Sequence, residues 1–206
     1  MNAVLPTNAE ALRELMQDAA KREVECQEYL QYANFLLAPP LSRVVQVVRE
    51  QVAMAGRSDY FLLCEVTEVN LRRKLFLWEA KAPQLAPFEI VTQNRLIPSR
   101  ALVEAENQLL YYFDEYRSNG QFLDRYEIRH PDDVKLGGII IGRDDNMVRR
   151  TGSTTIPNES LLQLASSALR IRDEHFYRGR IRLLSWDRIV QVLNRNPVVE
   201  TLPGKV

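Results

Sequence analysis

The chain has 206 residues, 46% hydrophobic and 26% charged, with 27 Lys and Arg balanced by 27 Asp and Glu; this suits one globular domain, or one domain with a small helical extension. Zero net charge excludes a global field for nucleic acid, so any such contact needs a local basic patch. Two cysteines without a C-x-x-C, and His130 and His175 at no metal-ligand spacing, exclude a zinc centre and fit a reducing compartment. No apolar run nears the roughly 20 residues of a membrane span. The N-terminal MNAVLPTNAEALREL lacks a basic segment followed by an apolar core, so a cytoplasmic protein without membrane contact is expected.

Asn8 is the expected N-cap of a helical segment, with Leu12, Leu15, Ala19, Tyr29, Leu30 and Leu36 at helical spacing and Pro39-Pro40 as its stop. A second helix is expected over LSRVVQVVREQVAMA, ending at Gly56. The period then changes. YFLLCEVTEV (60–69) and LFLWEAK (75–81) read as a hairpin across the polar turn NLRRK, and PFEIVTQ (87–93) as a third, short strand. Ser99 caps the helix SRALVEAENQLLYYFDEYR, and GQFLDRYEIRHPDDVK reads as a loop. LGGIIIGR (136–143) is a near-continuous apolar run, expected to be buried on both faces and paired in parallel. RDDNMVRRTGSTT reads as a polar loop and PNESLLQLASSALRIRDEHF as a helix. RIRLLSW (180–186) reads as a strand, and Asp187 opens the last helix. The tail after Pro197 reads as loose. A meander followed by right-handed helical crossovers gives an α/β (α+β) fold, a mixed β-sheet flanked by helices.

Strand side chains alternate, so Leu75, Leu77, Glu79 and Lys81 share one face while Phe76, Trp78 and Ala80 share the other. With the turn near Leu71, Glu79 falls opposite Leu63 and Lys81 opposite Phe61, with Asp59 just beyond on the same face. A one-residue slip would undo this. On the following helix Ala101, Ala105, Gln108 and Tyr112 form one stripe, which places an amide toward the sheet, where it needs partners. Two carboxylates make hard oxygen ligands for Mg²⁺ or Mn²⁺, and the Ala80 carbonyl adds a third oxygen. A lysine beside such an ion holds the attacking water or offsets charge on a phosphate.

Asp59 followed by Glu79-Ala80-Lys81, in an αβββαβ order, resembles the PD-(D/E)xK nuclease superfamily. EYLQYANFLLA (28–38), SDYFLL (58–63), WEAKAP (78–83), LIPSRALVEAENQLLYY (96–112) and GGIIIGR (137–143) together resemble the nuclease domain of the Shedu antiphage defence proteins. The likeness spans roughly residues 25–193. It implies a restriction-endonuclease-like core and a metal-dependent DNA endonuclease of bacterial immunity, acting as a homo-oligomer, with a regulatory protein partner left open. Residues 1–56 would be an N-terminal helical segment, 57–196 the nuclease domain and 197–206 a tail. Asp59, Glu79 and Ala80 would hold Mg²⁺ or Mn²⁺, with Asp59, Glu79, Lys81 and Gln108 as the catalytic set. Ser58 stands where the superfamily's name has Pro, and Asp59 lies 20 positions before Glu79. Glu65 and Glu68 are therefore alternative first carboxylates, and Glu25 or Glu28 a further one. Arg143, Arg149, Arg150, Arg178 and Arg180 are the candidate DNA contacts.

Other readings stand beside this one. Glu79 and Lys81 also fit a surface ion pair on an edge strand, worth about 0–1 kcal/mol. Asp59 fits a turn residue, and Tyr112 a core residue. A silent nuclease-fold module that binds DNA or protein is the main functional alternative, and a metal-dependent nucleotide hydrolase is another. No GxxxxGK[ST], GxSxG or HExxH motif supports other standard chemistries.

Overall fold

Paired β-branched residues decide the first long strand. Val44-Val45 and Val47-Val48 are stiff at χ1 and pack well on a pleated surface, and strand β1 (Ser42–Ala53) stands where a helix was expected. In this computed structural model, which describes residues 7–18, 23–40, 42–53, 56–67, 71–92, 95–149 and 157–195, β1 pairs antiparallel with β2 (Gly56–Thr67), with a bulge at Val45. β2 pairs antiparallel with β3 (Leu71–Ala80). β6 (Val134–Ile140) lies parallel to β3, and β8 (Arg182–Leu184) parallel to β6. The five-stranded sheet therefore runs β1-β2-β3-β6-β8, a mixed sheet whose parallel half is built through helical crossovers.

The expected third strand of the meander is elsewhere. β4 (Phe88–Thr92) pairs with β5 (Arg95–Pro98) and with β7 (Val148–Arg149) in a separate small sheet. Pro83 and Pro87 interrupt the chain between β3 and β4, and prolines cannot donate to a continuing ladder. The third antiparallel strand of the main sheet is β1 instead. β7 lies in a stretch expected to be a loop, and β5 between the expected strand and the Ser99 cap, where no element was expected.

The N-terminal helical segment is broken into α1 (Asn8–Gln17), α2 (Glu23–Gln27), a 3₁₀ turn (Glu28–Ala33) and α3 (Asn34–Leu37). Thr7, not Asn8, is the N-cap: its side chain and Glu10 form a reciprocal capping box. The Thr7 backbone N–H donates to the Glu10 carboxylate at 2.8 Å and lowers its pKa. α4 (Arg100–Ser118) is the crossover between β3 and β6, α6 (Asn158–Ile171) leads to β8, and α7 (Trp186–Arg195) closes the described chain. α5 (Gly120–Arg125) stands where a loop was expected, because the Asn119 side chain caps it by accepting from the Phe122 N–H. The residues after 195 lie outside the described part.

Both faces of the sheet are covered. Trp78 and Ala80 pack with Leu12, Leu30, Leu37 and Trp186 from the N-terminal helices and α7. Leu75 and Leu77 pack with Leu102, Leu109 and Tyr116 of α4. β6 is buried from Gly137 to Ile140, as its apolar run required.

Ser99 fixes the start of α4. Its Oγ accepts from the Leu102 N–H at 3.2 Å and its own N–H donates to Pro87 O at 2.8 Å. Ser99→Ala is expected to lower stability by about 1 kcal/mol, read as a shifted midpoint in urea at unchanged slope.

Cys64, opposite Val44 on β2, is fully buried. Burial pushes its thiol from 9.0 up to about 11, partly offset by a hydrogen bond with Ser42. The folded value exceeds the unfolded one. The associated stability is therefore complete below pH 9 and is lost as pH rises toward 11. A thiol reagent at pH 8 should leave Cys64 unmodified until the chain unfolds, which peptide mass mapping would read.

Candidate active site

β3, β6 and β8 are parallel, so their carboxyl ends open at one edge of the sheet, the place where open α/β sheets hold ligands. Glu79 lies next to last on β3 and Lys81 directly after it. Glu79 is 1% exposed, and β3 is the central strand of five. The surface pair on an edge strand is thereby overturned. Lys81 Nζ lies 2.5 Å from Glu79 Oε1 and donates to Gln108 Oε1 of α4 at 2.6 Å. Its backbone is held on two sides: the N–H donates to Ile140 O at 2.8 Å, and the carbonyl accepts from Trp186 Nε1 at 2.7 Å. The next N–H, of Ala82, donates to Glu23 Oε2 on α2 at 2.9 Å.

The hairpin register differs from the expected one by four residues. Tyr60 pairs with Trp78, Phe61 with Leu77 and Leu63 with Leu75, because Leu71–Lys74 are strand and not turn. Four is even, so each residue keeps its face. One further step in this register brings the Asp59 backbone opposite Glu79; the Asp59 side chain lies outside the described part. Backbone groups alternate along a strand. Since Lys81 N–H points to β6, the Ala80 carbonyl points toward β2, beyond the Tyr60–Trp78 pair. Glu65 pairs with Arg73, six residues along β3 from Glu79, roughly 20 Å away. It sits between Arg43 at 3.4 Å and Arg73 at 3.7 Å, so it is not the first carboxylate. Glu68 lies outside the described residues. Among the described residues no group of three or more His, Cys, Asp and Glu side chains could hold a metal; the set of Glu79, Asp59 and the Ala80 carbonyl depends on Asp59.

Gln108 reaches the site from the rim of α4 rather than from its buried stripe. It is exposed, whereas Ala105 and Tyr112 are buried. Tyr112 stacks on Tyr116 with centroids 6.2 Å apart, a core position. Glu25 and Glu28 are exposed on the surface. Glu23, not singled out by the sequence, supplies the carboxylate at the end of β3. Nothing in the local pattern distinguishes it from its neighbours, because its partner is 59 residues away. Trp186, also missed, had one signal: it ends RIRLLSW, the last expected strand.

The five arginines do not converge. Arg143 is turned inward: Nη1 donates to Met16 O at 3.1 Å, and Nε lies 3.0 Å from Asp145 Oδ1 as an ion pair without hydrogen-bond geometry. With Gln84 Nε2, which donates to Asp18 O at 2.5 Å, it ties the end of α1 to the loops beside the site. Arg149 is exposed, 3.5 Å from Glu89 Oε1. Arg178 takes the left-handed conformation at φ 50°, and Arg180 lines a cleft at the opposite end of the sheet. Arg150 lies outside the described residues. Two other arginines of this stretch are structural. Arg182 donates to Leu36 O and Leu37 O at 2.9 and 2.5 Å and lies 4.8 Å over the Trp78 ring; burial lowers its pKa. Arg172 meets Glu106 and the Tyr177 hydroxyl in a half-buried cluster that fastens the π-helical turn (Arg172–Tyr177) to α4. Burial, then the hydrogen bond to Glu106, raises the Tyr177 pKa.

No helix among the described residues is long and apolar enough to cross a membrane. No family model matches the chain, and no curated protein matches it.

Proposed function

We propose that the chain is a metal-dependent DNA endonuclease with a restriction-endonuclease-like core, of the kind used in antiphage defence. The observation that carries this reading is the Glu79–Lys81–Gln108 constellation at the carboxyl end of the central strand. Taking a carboxylate and an ammonium out of water costs several kcal/mol per ion, so a buried pair is weak evidence for a stabilising role. A catalytic role gives that cost a reason. The order of the main sheet, three antiparallel strands, a helical crossover and a parallel strand, supports the same reading.

The donor set suits a hard divalent cation. Glu79, the Ala80 carbonyl and Asp59 offer oxygen only, the preference of Mg²⁺ and Mn²⁺. When bound, such an ion polarises a phosphate and lowers the pKa of coordinated water. Lys81 then holds the attacking water or meets the negative charge that grows on the scissile phosphate. Gln108 fixes the Lys81 ammonium, and Trp186 and Ile140 fix its backbone, so little reorganisation is needed during reaction.

The test is incubation of the purified chain with linear and supercoiled DNA, with Mg²⁺, Mn²⁺ or EDTA, beside free nucleoside triphosphates. Cleavage of DNA in either metal and not in EDTA is the expected result. Turnover of free nucleotides without DNA cleavage would assign a nucleotide hydrolase instead. DNA binding with no metal-dependent cleavage would assign a binding module.

A further inference from the structure

We propose that a second site, at the amino ends of β3 and β6, binds a nucleoside phosphate. The cleft there has a volume of about 720 Å³, within the range of small-molecule sites. It is separate from the site at Glu79: Lys74 lies five residues earlier on β3, roughly 17 Å along the strand.

The chain has no net charge, yet among the described residues the cleft collects Lys74, Arg117, Lys135 and Arg180 beside Asp132. Each cation comes from a different place: β3, α4, β6 and the turn before β8. They meet only in the folded state. Lys74 is half-buried, on the face of β3 that further along carries Trp78 and Ala80 in the core. The sheet leaves room for a ligand, because β8 pairs with β6 only from Gly138 onward, and the cleft occupies the space beside Val134–Leu136.

The walls also carry flat apolar surfaces. Phe76 and Phe113 line the cleft with Pro39, and the Arg117 guanidinium sits 5.0 Å over the Phe113 ring. Arg117 is held there by Asp132 Oδ1 at 2.5 Å and Pro131 O at 3.3 Å. Cations suit phosphate oxygens, and aromatic and guanidinium planes suit a nucleobase. A ligand combining both is a nucleotide. The proposal is independent of the chemistry at Glu79.

The test is calorimetric titration of the full chain with ATP, tripolyphosphate and a short single-stranded oligonucleotide, in EDTA so that no metal-dependent turnover intervenes. Saturable ATP binding is expected, weakened about tenfold by Lys135→Glu and by Arg180→Glu, the effect of one lost charge-assisted contact. Both side chains are exposed. Should either reversal unfold the chain, Lys135→Gln and Arg180→Gln give the same comparison. Tripolyphosphate binding as tightly as ATP would overturn the proposal, because the ring would then contribute nothing. So would ATP binding unchanged in the variants, oligonucleotide binding without ATP binding, or no saturable ATP binding at millimolar concentration.

Discussion

Glu79→Gln and Lys81→Ala should each reduce metal-dependent DNA cleavage by about 10²-fold or more, the usual cost of losing a group that transfers protons or stabilises transition-state charge. The two variants should differ sharply in stability. Glu79 is 1% exposed, and Lys81 Nζ lies 2.5 Å from its Oε1. Lys81→Ala removes the ammonium beside a buried carboxylate, at a cost of about 3–5 kcal/mol. Glu79→Gln leaves an ammonium that keeps Gln108 and is 15% exposed, a smaller loss. A divalent cation at Glu79 would replace the missing positive charge. Mg²⁺ should therefore raise the melting temperature of Lys81→Ala by linkage and leave that of Glu79→Gln unchanged. Equal melting shifts in both variants would sink the assignment of Glu79 as a metal ligand, whatever the cleavage assay shows. Activity retained in Glu79→Gln would sink the proposed mechanism itself.

Gly138→Ala is expected to destabilise the fold by about 3 kcal/mol or more, the upper range for overpacking a filled core. A Cβ at Gly138 would fall well under 3.0 Å from the Arg182 carbonyl oxygen and from the Trp78 ring. The carbonyl is backbone of the neighbouring strand β8 and cannot rotate away. Gly137 is in the same position, 2.7 Å from the Leu77 carbonyl and against Trp78 Nε1. It is also the extra residue of the bulge between the Leu77–Leu136 and Trp78–Gly138 pairs, where β6 bends around the indole. Neither glycine has a positive φ, so their requirement is space and not backbone conformation. Trp78 is sandwiched between this pair and the Arg182 guanidinium, directly before Glu79, and its displacement would carry the site with it. Chemical denaturation checks the prediction; a loss under about 1 kcal/mol, small against the usual cost of overpacking, would show that the β6–β8 strands part without penalty.

Much of the architecture was legible because it rests on local pattern. The 2-residue period of LFLWEAK put Glu79 on one face and Trp78 on the other, and the apolar run GGIII required burial on both sides, which only parallel neighbours under helices provide. Ser99 was readable as a cap because capping involves residues three apart. The stretch SRVVQVVREQVA misled for the opposite reason. Its spacing fits a helix, and pairing with β2, a long-range contact, overrides it. The register of the hairpin was misplaced by four residues, since the polar NLRRK reads as turn while its last residues are strand.

Residue order alone shows which side chains share a face and that a carboxylate and an ammonium end the strand LFLWEAK. Parity survives any even error of register, so this much needed no tertiary knowledge. Which groups meet depends on packing in three dimensions. Glu79 became buried because β3 is central, Glu65 was removed to the far end of the hairpin by the register, and Arg143 was spent on the end of α1. Glu23 and Trp186 were brought to the backbone of β3 from 59 and 105 residues away. Such encounters depend on the packing of whole layers, and no local period in the chain encodes them.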